Sequence, residues 1–113
     1  MDGCIFCKIS SGEIKVDMLY EDDSIVAFRD IDPQAPQHIL VIPKEHIPTL
    51  DDVSPEDAGL LGHMLLKARD IASKLGMDKG YRIVVNCNSD GGQEVFHIHV
   101  HLLGGRQMKW PPG

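Results

Sequence analysis

The sequence predicts an α+β domain: an antiparallel sheet of about five strands, one long helix, and a short helix at the N-terminus. Three observations predict it. Val95 to Leu103 alternates apolar side chains with imidazoles, the period of a strand with two unlike faces. The stretch from Ser54 to Gly76 carries apolar residues at spacings of three and four, the period of a helix with one apolar stripe. The other strand-like runs are mostly joined by hairpin-type turns, so neighbours pair antiparallel and the helix covers one face of the sheet.

In chain order, Cys4 to Ile9 reads as one or two helical turns ended by Gly12. Met18 to Glu21 and Ile25 to Asp30 form a hairpin about the turn Asp22-Asp23-Ser24. Residues 31–36 are a proline-rich loop. His38 to Pro43 is almost continuously apolar, a strand buried on both faces and stopped by Pro43. Ser54 caps the long helix, Pro55 suits its first position, and Glu56 and Asp57 suit the positive end of its dipole. Leu61, Met64, Leu65, Ala68, Ile71, Ala72 and Leu75 form its apolar stripe, and Gly76 stops it. His63, inside the helix, is expected to be solvated or packed, with no role. Tyr81 to Asn86 is a further strand. The turn Asn88 to Gly92 leads from it into the histidine strand. There Phe96, Ile98, Val100 and Leu102 face the core. His97, His99 and His101 face the other way, about 6.5–7 Å apart. The tail from Gly104 is irregular, and its Trp110, the only tryptophan, suits docking on a partner subunit.

The length of 113 residues fits one domain, 1–113. A net charge of −6 argues against a nucleic-acid polymer as partner, while leaving small anions open. The apolar runs are too short to span a bilayer, and the N-terminus lacks a signal-peptide pattern. The expected place is the cytoplasm, with the nucleus as a second compartment. Three cysteines, an odd number, argue against a disulfide framework. Cys4-x-x-Cys7 reads as half of a zinc site, as two small buried residues, or as a redox pair. Three imidazoles at strict spacing, in a chain with six, are chemically loaded. They titrate near neutrality, attack phosphorus and bind metals.

The alternation His97-Ile-His-Val-His-Leu-Leu103 resembles the motif of the histidine triad (HIT) superfamily. Ala27 to His38, Gly91 to Val95 and Gly104 to Gly113 resemble the same family, so the likeness covers nearly the whole chain. The C-terminal run Arg106-Gln-Met-Lys-Trp-Pro-Pro-Gly113 is similar to that of its nucleotide-binding, purine nucleoside phosphoramidase branch. The resemblance implies a HIT-like fold and hydrolysis of nucleoside 5′-phosphoramidates. In that chemistry His99 attacks the α-phosphorus and forms a nucleotidyl-histidine, which water then cleaves. His101 donates to a phosphate oxygen, His38 orients the group and relays protons, and His97 completes the triad. No divalent metal is required for these steps. Asp30 would accept the ribose hydroxyls and Ile31 would pack on the base. Asn86 would touch phosphate or ribose, and backbone N–H groups of Gly92, Gln93 and Glu94 would face phosphate oxygens beside His99 and His101. Glu94 departs from the serine of some relatives and is expected to alter leaving-group preference. The resemblance also implies a structural zinc held by Cys4, Cys7, His46 and His97, and a homodimer in which Trp110 reaches towards the neighbour's site. Two other readings compete: dinucleoside polyphosphate hydrolysis, and a nucleotide-binding adaptor whose turnover is incidental.

Overall fold

The hairpin, the apolar strand and the two C-terminal strands join into a five-stranded sheet in a computed structural model that describes residues 3–113. The elements are α1 (Ile5–Ser10), β1 (Met18–Glu21), β2 (Ile25–Arg29), β3 (Gln37–Pro43), α2 (Ala58–Lys74), β4 (Tyr81–Val84) and β5 (Val100–Gly104). Strands lie in the order β1-β2-β3-β5-β4, and all neighbours are antiparallel. This is the predicted α+β architecture. Residues 1 and 2 of the expected domain lie outside the described residues.

Alternation along the strands sorts side chains onto two faces. Ile25, Ala27, Ile39, Val41, Val100 and Leu102 pack with Met64, Ala68, Ile71 and Ala72 of α2. Val26, Phe28, Leu40 and Ile42 turn the other way and pack with Phe6 and Ile9 of α1. β3 is apolar on both faces because a helix lies on each, and each such side chain contributes about 1.5–3 kcal/mol on burial.

The long helix opens with a 3-10 turn over Pro55–Asp57, where Ser54 and Asp57 form a capping box. It ends where predicted. Gly76 has φ +76°. The amides of Gly76 and Met77 donate to the carbonyls of Ser73 and Ala72 at 3.2 and 3.0 Å, closing the last turn.

Three expectations need correction. The histidine segment is a regular strand only from Val100. Pro43 ends β3, and the chain beyond it turns so that Ile47 carbonyl accepts the Ile98 amide at 2.6 Å. Residues 95–99 therefore leave the ladder, and Phe96, expected in the core, is 49% exposed. On α2, Leu65 was expected in the core stripe but is 46% exposed, and Leu66 beside it is 51% exposed. His63 has a partner: its Nε2 lies 2.6 Å from Asp22 Oδ2, tying α2 to the β1–β2 turn. Among the described residues, no helix is long and apolar enough to cross a membrane.

Candidate active site and metal centre

Three strands deliver polar residues to the α1 face of the sheet. Asp30 follows β2, His38 is near the start of β3, and His101 is the second residue of β5. Leu40 is opposite His101 in the register, so His38 lies diagonally across on the same face. His38 Nε2 comes 2.9 Å from His101 Nδ1 and 3.5 Å from Asp30 Oδ2.

Main-chain groups fix the direction of every hydrogen bond here. The Gln34 amide donates to His38 Nδ1 at 3.0 Å. A backbone N–H can only donate, so in the neutral ring Nδ1 is bare and the proton sits on Nε2. That proton points at His101 Nδ1, which must be bare in turn, leaving the His101 proton on Nε2. His99 is set the other way. Its Nδ1 lies 2.8 Å from the His97 carbonyl, which can only accept, so Nδ1 carries the proton and Nε2 keeps a lone pair. The two rings are 4.9 Å apart between centroids. Neighbouring imidazoles thus hold opposite duties, a lone pair on His99 and an N–H on His101.

Burial keeps these rings neutral. His99 and His38 are both pushed below the usual histidine range by desolvation, against opposing pulls from the His97 carbonyl and Asp30 on His99, and from Asp30 and Asp32 on His38. His101 is pushed down to about 4, by desolvation first and then by repulsion from His99 and His38.

A second cluster lies beside the first. Cys4 Sγ and Cys7 Sγ lie 3.3 and 3.5 Å from His97 Nδ1. Cys7 Sγ is 3.3 Å from His46 Nδ1, and the two Nδ1 atoms are 3.2 Å apart. All four atoms fall within 4.8 Å of one another. A tetrahedral zinc with Zn–N about 2.0–2.1 Å and Zn–S about 2.3 Å has ligand–ligand edges of roughly 3.3–3.8 Å. The four edges that involve His97 Nδ1 or join Cys7 Sγ to His46 Nδ1, at 3.2–3.5 Å, match this range to within a few tenths of an ångström, and the other two lie within 4.8 Å. His97 Nε2 donates to the Pro43 carbonyl at 2.8 Å, which turns the bare Nδ1 towards the thiols.

Residues 11–108 match the HIT domain family. The chain belongs to the HIT family. It is 57% identical to a HIT family hydrolase of Legionella pneumophila Philadelphia 1, with a TM-score of 0.96 over 98% of this chain and 100% of that one. It is 34% identical to a histidine triad nucleotide-binding protein of Candida albicans, with a TM-score of 0.82 over 96% and 83% of the two chains. An uncharacterized HIT-like protein of Synechocystis sp. is 51% identical over 109 residues, 96% of each chain.

Within this HIT domain, Asp30, His38 and His101 also have ligand atoms within 4.8 Å of one another, yet they fit a metal poorly. With the Gln34 amide aimed at His38 Nδ1, the proton is confined to Nε2, the atom that would have to coordinate. The polarity that suits His97 to a metal is reversed in His38. His97, expected among the catalytic residues, has Nδ1 in the thiol cluster and Nε2 on Pro43. Only its carbonyl reaches His99.

The glycine-rich turn also differs from expectation. The amides of Gly92 and Gln93, expected to face phosphate, donate to the carbonyls of Ser89 and Asn88 at 3.0 and 3.1 Å. The buried Gln93 side chain donates to the carbonyls of Pro48 and Val95 and accepts from the Asn88 amide. Its chemistry is spent bracing the turn. Asn86 donates to the Gly91 carbonyl at 2.7 Å. Gly91 must be glycine, because a Cβ there would collide with the Cys87 backbone. Glu94 is exposed and lines a 420 Å³ groove together with Cys4, His46 and Phe96. Ile31 is 92% exposed beside the largely buried Asp30.

Two contributors went unseen in the sequence. Gln34 acts through its main chain, which carries no residue signature. Phe6 stands between the cysteines and meets both His97 and His99 edge to face. Its position in Cys-x-Phe-Cys was the available signal.

Proposed function

We propose that this HIT protein is a nucleoside phosphoramidase that works through a nucleotidyl-His99 intermediate. The observation that carries the reading is the imposed polarity of the rings: a bare Nε2 on His99 beside an N–H on His101 Nε2. A neutral imidazole is a competent nucleophile near pH 7. The His99 Nε2 lone pair forms the new bond to phosphorus, and the bond from phosphorus to the amine breaks. The departing nitrogen keeps that electron pair and takes one proton from solvent. His101 Nε2–H donates to a phosphoryl oxygen, where charge builds in the transition state. Water then adds to phosphorus, His99 leaves, and a mononucleotide and one proton are released. His38 holds the His101 tautomer through both steps.

A purine nucleoside suits the rest of the site. The Asp30 carboxylate suits a ribose diol. The exposed Ile31 offers an apolar platform to a base. The names of the Legionella and Candida proteins, a hydrolase and a nucleotide-binding protein, agree with this. Zinc would be held by Cys4, Cys7, His46 and His97. It would supply cross-linking of α1 to the sheet and take no part in the bond changes.

A panel of adenosine and guanosine phosphoramidates and a dinucleoside polyphosphate, tested on wild type and His99→Ala, decides the matter. Phosphoramidates should turn over fastest, and the substitution should cost at least about a thousand-fold in kcat. A His99→Ala enzyme within ten-fold of wild type would overturn the reading, as would preference for the polyphosphate.

A further inference from the structure

Two rings pack against His99. His101 has its centroid 4.9 Å away with planes at 66°. Phe6 has its centroid 5.1 Å away with planes at 85°. Among the described residues, the one side-chain hydrogen bond of His99 runs from Nδ1 to the His97 carbonyl, and a single bond does not fix rotation about its own axis, so packing must set the ring plane. His101 is committed to His38, with its Nδ1 2.9 Å from His38 Nε2, so the packing wall is Phe6. It is 6% exposed, meets Phe28 and His97 at 5.8 and 5.9 Å, and takes no part in substrate chemistry.

Phe6 in turn needs an anchor. It belongs to α1, six residues long, far below the length at which a helix holds its own shape. The residues at either end of Cys4-Ile5-Phe6-Cys7 put their thiols into the cluster with His46 and His97. The same His97 supplies the carbonyl that holds His99. Both restraints on the nucleophile therefore lead to the thiol–imidazole cluster, one through Phe6 and one through the His97 main chain.

We propose that Phe6 is a positioning residue for His99, and that the Cys4–Cys7–His46–His97 cluster, with zinc bound, makes it one. A centre that would otherwise only stabilise the fold thereby sets the geometry of the attacking nitrogen. This rests on the proposed role of His99, so its test includes a readout that needs no substrate.

The His99 Nδ1 proton, bonded to a carbonyl at 2.8 Å, is protected enough to be followed by ¹H–¹⁵N NMR. Wild type loaded with zinc is compared with Phe6→Leu, with Phe6→Tyr, which keeps the ring, and with wild type stripped by chelator and then reloaded. All are measured well below their unfolding temperatures. Phe6→Leu and the stripped protein should lose or broaden the His99 signal. They should drop kcat on an adenosine phosphoramidate about ten-fold, with KM changed less than two-fold. Phe6→Tyr and reloading with zinc should recover both. A folded Phe6→Leu with a sharp His99 signal would overturn the proposal, and so would a kcat within two-fold of wild type. If wild type turns over no phosphoramidate, the proposed function fails, and the NMR signal still decides whether Phe6 and zinc hold His99.

Discussion

At the scale of single residues, the site is governed by which nitrogen carries each proton. The Gln34 amide and the His97 carbonyl set this from the main chain, so it survives without precise side-chain charges. The pH response follows. His38 and His101 are held neutral below the ordinary histidine range, His101 down to about 4. Protonating His101 would fill the Nδ1 that receives the His38 N–H and break the relay. kcat/KM should hold steady as the pH falls through the ordinary histidine range and drop only towards 4. An acid limb centred at 6.5 or higher would contradict this. Stability has the same sign. The unfolded chain takes up these protons near pH 6.5 and the folded chain only lower. The contribution is complete above 6.5 and is lost as the pH falls through that window towards 4.

At the scale of elements, the polar clamp between the β1–β2 turn and α2 carries more than the sequence suggested. Burial by itself would raise the Asp22 carboxyl. Hydrogen bonds from His63, the Ser24 amide, Tyr20 and the Ile25 amide outweigh it and hold the group far below the usual carboxylate range. Tyr20 hydroxyl donates at 2.7 Å, and the amides of Ser24 and Ile25 at 2.8 and 2.9 Å. Lys67 of α2 sits over the Tyr20 ring at 4.5 Å. Asp22→Ala strips several donors at once and should cost about 2–3 kcal/mol. His63→Ala removes one partly exposed contact and should cost about 1 kcal/mol or less. Urea midpoints of the two variants compare them directly. Equal losses would show that the helix contact, rather than the turn, carries the stability.

At the scale of the whole molecule, two apolar surfaces lack a covering element among the described residues. Leu65 and Leu66 are about half exposed on α2, and Tyr81 is 40% exposed on the edge strand β4. Trp110 is 82% exposed on the tail, which Arg82 holds through the Lys109 carbonyl at 2.7 Å. We propose that a second copy covers these surfaces. Sedimentation at micromolar concentration should give a dimer, and Leu66→Glu should shift it to monomer, because a carboxylate buried without a partner costs several kcal/mol. A wild-type monomer would contradict this.

The sequence by itself determined the strand and helix periods, the hairpin turns, the glycine stop after α2 and the family motif. Each is written in neighbouring residues, within the few positions over which backbone periodicity acts. Cys4, Cys7, His46 and His97 could be named as a ligand set only through family likeness, since they are up to 93 positions apart. Only the tertiary structure decided which nitrogen of each imidazole is bare, because the deciding partners are main-chain groups of Gln34, Pro43 and His97 that look alike in every residue. It also decided that the histidine run leaves the sheet before Val100 and that Gln93 spends its amide on the turn. Those outcomes depend on where Pro43 sends the chain and on which carbonyls then come within reach.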